Sequence, residues 1–266
     1  MRAKRISVIM LAIGFLFAAI FSCVFVFSVS KVQVSFAVSS NFNSAKVQES
    51  LDVFKGKNLL FLNEDEVYSI LKEERYLEVL SVEKEYPNVL NISLKERVGI
   101  YHFQYNSKYY LIDETGFVLE ECATMEELNE LTKQSPQEKF IEFSTHDFIS
   151  NGDIVIGQPQ LGNFLEKDEE NLLNVALAMT KEIYLTDCIK KVELNTIAEM
   201  NYVDFYTYTG VTIRVVDVYD KGVERIAEAF ELYDKQSNDY IKSFSKIICV
   251  ANQEPVWTEN FNNYGG

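Results

Sequence analysis

The residues that could carry catalysis or bind a metal are few in this chain, and their spacing matches none of the usual motifs. The two histidines, His102 and His146, fall in a predicted strand and a polar loop, and neither belongs to an HExxH or similar ligand spacing. No GxSxG, SxxK or glycine-rich phosphate loop is present. The sequence therefore favours a protein that is not an enzyme and that needs no cofactor or metal.

The cysteines are also without a CxxC pair, which argues against a metal or redox motif. One of them falls in an apolar N-terminal stretch, and among the other three a single disulfide is possible, although buried thiols are the simpler interpretation. The four cysteines are Cys23, Cys122, Cys188 and Cys249.

Acidic residues dominate the charge of the chain. Clusters such as Glu120-Glu121 and Asp168-Glu169-Glu170 lack the alternate-position spacing of a calcium loop, so they indicate solvated surfaces. The net charge is −15, and subtracting the +3 of residues 1–30 leaves −18 on residues 31–266. Phosphate contacts require clustered lysine and arginine, so nucleic acid is excluded as a partner. Protein binding is the function class that remains.

The N-terminus predicts a membrane anchor. Residues 6–30 contain no charge, and a helix of that length would span about 37 Å, against about 30 Å for a bilayer core. The three basic residues in MRAKR keep residues 1–5 in the cytoplasm, so the rest of the chain is expected outside. A signal peptide cleaved near Ser28-Val29-Ser30 is the alternative.

The next segment predicts a small β-α-α-β-β domain over residues 31–98. An alternating stretch at residues 32–40 predicts the first strand, and a helix is expected over residues 45–54. Asn63 is expected to cap a second helix. Two alternating runs on either side of Pro87-Asn88 then predict a β-hairpin that ends at Glu96-Arg97.

These motifs resemble the FtsQ/DivIB cell-division family, whose POTRA domain follows a membrane anchor. The similar features are Gly56 with the apolar run at residues 59–62, the Tyr86-Pro87 pair, the Glu96-Arg97 pair, and Leu111-Ile112-Asp113 followed by Gly116. The family often has a proline two residues after the Glu-Arg pair, where this chain has Gly99.

A larger mixed α/β sheet domain is expected over residues 99–258, followed by a tail at residues 259–266. Strands are predicted at residues 140–143, 154–156, 189–194, 202–208 and 211–216, and helices at residues 169–184 and 221–234. Residues 123–138 are polar and are expected to form a surface excursion. The fold class is therefore α+β, and the last strand, residues 244–250, is a candidate edge strand of the sheet.

An edge strand can accept a strand from another protein, because its outer N–H and C=O groups are unpaired. The resemblance implies FtsB/DivIC-like and FtsL-like partners, bound in this way at the division septum, and no small-molecule substrate. Trp257 could be a partner contact or could fold back on the sheet. The predicted binding residues are Phe244, Lys246, Ile247, Ile248, Cys249, Val250 and Trp257.

Glu96 and Arg97 are adjacent on a strand and point to opposite faces, so each is expected to reach a neighbouring strand or the domain junction.

The resemblance implies a non-enzymatic scaffold that links its partners to septal peptidoglycan synthesis. Two alternatives stay open, a docking protein of another envelope-assembly complex and a membrane-anchored extracytoplasmic enzyme.

Overall fold

The computed structural model divides into two units, residues 1–97 and 98–266. It describes the backbone of residues 2–37, 44–72, 74–132, 139–145, 158–165, 171–182, 188–197, 200–243, 245–250 and 253–259, and within the first helix the side chains of residues 10–18 and 21–26. Each unit has its own buried core.

The smaller unit has the predicted β-α-α-β-β order after an N-terminal helix. Its central strand pairs in parallel with the first strand and antiparallel with the second, so the sheet order is β1-β3-β2. The elements are α1 (Arg2–Val26), β1 (Lys31–Phe36), α2 (Ser44–Leu51) with a 3-10 turn (Asp52–Phe54), α3 (Glu64–Leu71), β2 (Leu77–Glu85) and β3 (Val89–Glu96).

Local sequence accounts for this arrangement. The side-chain oxygen of Asn63 accepts a hydrogen bond from the Asp65 amide at 3.1 Å and caps α3, as predicted. Phe54, Val67 and Leu71 are buried, because α2 with its following turn and α3 each direct an apolar face toward the sheet. Alternate residues of β3 are buried, and they form the sheet side of the same core.

The N-terminal helix α1 bears exposed apolar side chains, among them Leu11, Phe15 and Phe17. Among the residues whose side chains the structure describes, which in α1 leave out residues 2–9, 19 and 20, no helix is both long enough and apolar enough to cross a membrane.

The larger unit is built on one nine-stranded sheet with the order β12-β11-β10-β9-β8-β7-β4-β5-β6. Its strands are β4 (Tyr101–Tyr105), β5 (Lys108–Ile112), β6 (Val118–Cys122), β7 (Ile141–Thr145), β8 (Ile189–Ile197), β9 (Met200–Thr207), β10 (Thr212–Val216), β11 (Ser245–Cys249) and β12 (Val256–Glu259). Its helices are α4 (Met125–Thr132), α5 (Leu172–Glu182), α6 (Gly222–Lys235) and α7 (Asp239–Ser243).

The main core lies between the sheet and helices α5 and α6. Both helices present an apolar stripe, so residues such as Ala176, Ile226 and Phe230 are buried against alternate residues of the central strands. In β9 and β10 these inward residues include Phe205 and Ile213, while their neighbours point to the other face of the sheet.

The position of Leu111 explains why glycine, rather than the proline that the family often has, suits residue 99. A Cβ atom at Gly99 would lie 2.6 Å from the Cδ2 atom of Leu111, and proline also carries a Cβ atom. Leu111 is buried, so this leucine and a side chain at residue 99 compete for the same space.

The segment at residues 123–138, predicted as a surface excursion, contains helix α4. Leu128 of this helix is buried against Leu111, Cys122 and Phe140 in a small second cluster. The described part of the segment does lie at the surface, and what the prediction lacked was the helix, which one buried leucine is enough to dock. The strand expected at residues 154–156 lies outside the described residues.

The prediction that the strand at residues 244–250 forms the edge of the sheet was wrong. Strand β11 lies between two partners, because it pairs in parallel with β10 and antiparallel with β12. The physical reason is the short segment after Pro255, which returns along β11 and takes the terminal position. The sheet therefore ends in β12, which the sequence analysis did not predict.

Candidate functional site

The terminal strand β12 presents an open edge of the large sheet. Its inner side pairs with β11, with Val256 opposite Ile248 and Thr258 opposite Lys246. On its outer side, no strand among the described residues pairs with it. Because alternate residues of a strand direct their N–H and C=O groups to opposite sides, two of its four residues offer these groups outward.

The opposite end of the sheet is partly covered. The Gly162 amide donates to the Val118 carbonyl at 3.0 Å, and the Val118 amide donates to the Asn163 carbonyl at 2.9 Å. Phe117 and Phe164 add a bridge and an edge-to-face ring contact at 5.2 Å. The loop at residues 158–165 thus shields the start of β6, and β12 is the more accessible edge for strand addition.

The predicted binding residues on β11 divide between the two faces of the sheet. Ile247 and Cys249 are fully buried in the main core, and burial raises the pKa of the Cys249 thiol to about 12. Lys246 and Ile248 lie on the opposite face and are partly exposed, and Val250 is exposed. The remaining predicted residue, Phe244, lies outside the described residues.

Trp257 folds back on the sheet. It lies opposite Ile247 in the antiparallel pair and packs, partly buried, against the main core. This packing fits the fold-back interpretation, and a role of Trp257 as a partner contact stays a prediction. Val256, which the sequence analysis missed, is 56% exposed on the same open strand.

The sheet face next to this edge carries a buried ion pair. Both oxygens of the Asp204 carboxylate accept hydrogen bonds from the Arg214 guanidinium, at 2.7 and 2.6 Å. The side chain of Asp204 is 2% exposed, whereas that of Arg214 is 29% exposed. The bond to Asp204 raises the pKa of Arg214, and the guanidinium also stacks over the Tyr202 ring at 4.1 Å.

Lys246 lies between this ion pair and β12. It is half-buried on β11, and burial lowers its pKa, with the positive charge of Arg214 acting in the same direction and Asp204 opposing. Ile248 lies opposite Arg214 on the neighbouring strand, and Val256 lies opposite Ile248 on the next one. An apolar row therefore leads from the ion pair to the open edge. The edge and the strand next to it thus combine exposed backbone, two aliphatic side chains and the charge of Lys246, with the Arg214–Asp204 pair one strand further in.

Arg97 is the last residue of the smaller unit. Its amide donates to the Tyr76 carbonyl at 2.8 Å, and its buried guanidinium lies 3.6 Å from Glu78 on the neighbouring strand β2. The preceding residue, Glu96, pairs with Leu77 in the same hairpin. A role of Glu96 and Arg97 at the domain junction stays a prediction.

His102 is expected to make the stability of the larger unit depend on pH. It lies on β4, where burial lowers its pKa below 6.5 and the nearby Glu142 opposes the shift. In the interval between the lowered pKa and 6.5 the unfolded chain binds more protons than the folded chain, so stability falls as the pH falls. Each tenfold weakening of proton binding corresponds to about 1.4 kcal/mol.

The measurement is thermal unfolding of wild type and His102→Gln at pH 7.0 and 5.5, followed by the fluorescence of Trp257. We expect wild type to lose more stability than the variant over this interval. Equal losses in the two proteins would contradict the assignment. The other histidine, His146, lies outside the described residues.

Comparison with known proteins identifies the smaller unit. Residues 27–97 match the FtsQ-type POTRA domain. The chain is 24% identical to the cell division protein DivIB of Clostridium tetani over 139 residues, which is 52% of this chain and 48% of that protein. It is 27% identical to DivIB of Clostridium acetobutylicum over 77 residues, covering 29% of this chain and 31% of that protein.

A third relative carries the other family name. The cell division protein FtsQ of Rickettsia bellii is 32% identical over 77 residues, which is 29% of either chain. The matches thus span about half the length of these curated relatives or less. The chain thus contains an FtsQ-type POTRA domain and is similar, over parts of its length, to cell-division proteins named DivIB and FtsQ.

Proposed function

We propose that this chain is a non-enzymatic docking protein of the cell-division machinery, which binds FtsB/DivIC-like and FtsL-like partners and links them to septal peptidoglycan synthesis. The observation that carries the proposal is the open outer side of β12 at the end of the large sheet. A partner strand added there would extend the sheet by one strand and satisfy the outward backbone groups.

The side chains around the edge favour a partner strand with apolar and acidic residues. Val256 and Ile248 would contact the apolar residues. Lys246 would attract a carboxylate, whereas the charge of Arg214 is already paired with Asp204. Because Arg214 and Asp204 neutralise each other, Lys246 is the positive charge that this site offers on a chain whose net charge is −15. Main-chain bonds would supply much of the affinity, and these side chains would supply the specificity.

Helix α1 is the proposed single-pass membrane anchor, with residues 1–5 in the cytoplasm and both folded units outside, at the division septum. The support is the stretch of 25 uncharged residues at positions 6–30, the basic residues before it, and the exposure of its apolar side chains, such as Phe15 at 76%. The names of the relatives agree with a place in the division complex.

A groove of about 830 Å³ between α5 and the start of α6 does not favour an enzyme. It is lined by Asn174, Lys221 and Glu224 among mainly apolar residues. Its described lining contains no histidine, cysteine or serine that could form a nucleophile–base pair. The groove therefore supplies no observation in favour of catalysis.

The test is co-purification of the full-length chain with the DivIC-like and FtsL-like proteins of the same genome. We expect a complex for wild type and at least a tenfold loss of affinity for Val256→Asp, which places a negative charge at the open edge. The matched control is Val53→Asp, since Val53 is 55% exposed on the smaller unit and Val256 is 56% exposed. Absence of a complex with folded wild type, or equal losses in both variants, would overturn the proposal.

A further inference from the structure

The loop at residues 58–61 exposes large apolar side chains beside the end of α1. Phe61 is 83% exposed and Leu60 is 42% exposed, although the adjacent Leu59 and Leu62 are buried. Tyr86, at the tip of the β2–β3 hairpin, is 56% exposed and contacts the Phe27 ring edge-on at 6.0 Å. A group of exposed apolar side chains in one region marks an interaction surface, unlike isolated ones.

Hydrogen bonds hold this loop against the last turn of α1. The Leu59 amide donates to the Phe27 carbonyl at 2.7 Å, and Asn58 forms a bridge with Ser28. The Asn58 side-chain amide also donates to the carbonyl of Cys23, inside the helix, at 3.4 Å. The position of the loop relative to the helix is therefore determined by the backbone of both.

The length of α1 determines how deep the loop at residues 58–61 would lie relative to a bilayer. From Ile6, the first residue after the basic segment, to Val26 the helix would extend about 31 Å, which matches a hydrocarbon core of about 30 Å. Cys23 lies about 4.5 Å before that end, since each residue adds about 1.5 Å. A loop bonded to Cys23 and Phe27 therefore stands at the border between hydrocarbon and headgroups.

We infer that Leu60 and Phe61 enter the lipid headgroup region next to α1, so that the bilayer surface is a second contact of the smaller unit. This inference rests on the proposed membrane anchor. The occupant is lipid rather than protein because the patch continues the exposed apolar surface of α1, where Phe25 is 65% and Val26 is 50% exposed. Tyr86 suits the same depth, since tyrosine concentrates at membrane interfaces.

The contact holds the smaller unit at a set height above the membrane. Three acidic residues, Glu64, Asp65 and Glu66, begin α3 shortly after the loop, so we expect no preference for anionic lipid. Zwitterionic phosphatidylcholine vesicles are therefore the suitable probe.

The experiment places tryptophan in the loop of the full-length chain. The Phe61→Trp variant is reconstituted in phosphatidylcholine vesicles whose acyl chains carry bromine close to the headgroup, and wild type supplies the background from Trp257. The matched control is Leu80→Trp, because Leu80 is 46% exposed and lies five residues, about 17 Å, along β2 from Glu85 near the hairpin tip. Flotation of each variant with the vesicles measures anchoring separately.

We expect all variants to float, and brominated lipid to lower the additional emission of Phe61→Trp at least twofold while that of Leu80→Trp changes by less than about a tenth. Equal quenching in both variants, or none in either while the chain floats, would overturn the lipid contact and leave the anchor intact. Failure to float would overturn the anchor and the lipid contact together.

Discussion

Replacing Ile247 by proline is expected to destabilise the larger unit by about 4 kcal/mol. Ile247 is fully buried, and truncating a buried isoleucine costs about 2–5 kcal/mol. Strand β11 also bonds to a strand on each side, so proline removes a ladder donor and leaves a partner carbonyl without one, for about 1–3 kcal/mol more. Such a loss approaches the total stability of many domains.

The matched variant for this prediction is Val256→Pro. Val256 is the first residue of an edge strand and is half-exposed, a position at which proline is tolerated, so we expect a loss below about 1 kcal/mol. Urea unfolding followed by Trp257 fluorescence compares the two, because the only tryptophan of the chain lies in this sheet. If Ile247→Pro were no more harmful than Val256→Pro, β11 would not be an interior strand.

Replacing Arg214 by methionine is the second large effect, with an expected loss of about 3 kcal/mol. The variant keeps most of the aliphatic side chain but leaves the Asp204 carboxylate, 2% exposed, without the two hydrogen bonds it accepts. Removing one partner of a buried pair costs about 3–5 kcal/mol, and the partial exposure of Arg214 favours the lower end. Lys246 is close enough to Asp204 to compensate for part of the charge.

The control is the double variant Asp204→Asn, Arg214→Met. We expect it to be more stable than Arg214→Met alone, since it removes the buried charge that the single variant leaves unpaired. Chemical unfolding of the wild type, both single variants and the double variant completes the cycle. A double variant that loses the sum of the two single effects would show that the two side chains do not act as a pair.

The smaller unit could be predicted from sequence because its signals are local. The alternation of β2 and β3 around Pro87, and the cap formed by Asn63, each lie within a few neighbouring residues. Their order along the chain then restricts the topology of a three-stranded sheet. The predicted elements and the observed ones therefore agree to within a few residues.

The end of the large sheet could not be predicted in the same way. The four residues of β12, VWTE, are too short to give a clear alternation. Their strand conformation depends on pairing with β11, and that pairing cannot be recognised from four residues. Once β12 is absent from the prediction, β11 becomes the edge by default. The one usable signal was Pro255, immediately before β12.

The polar face beside the edge was missed for a related reason. Asp204 and Arg214 lie ten residues apart on adjacent strands, and only the register of β9 and β10 makes them direct neighbours. Alternation can indicate which residues of a strand face the core, but it does not specify which polar side chains on the other face meet. Such pairs depend on register, and a shift of one residue would separate them.

The most direct test of the central claim is amide hydrogen exchange of residues 256–259 in the full-length chain, with and without its DivIC-like and FtsL-like partners. Alternate amides of β12 bond inward to β11, and the others point outward. We predict that the partners slow the exchange of the outward amides at least a hundredfold, while the inward ones change little. Unchanged exchange along β12 in a formed complex would contradict strand addition at this edge.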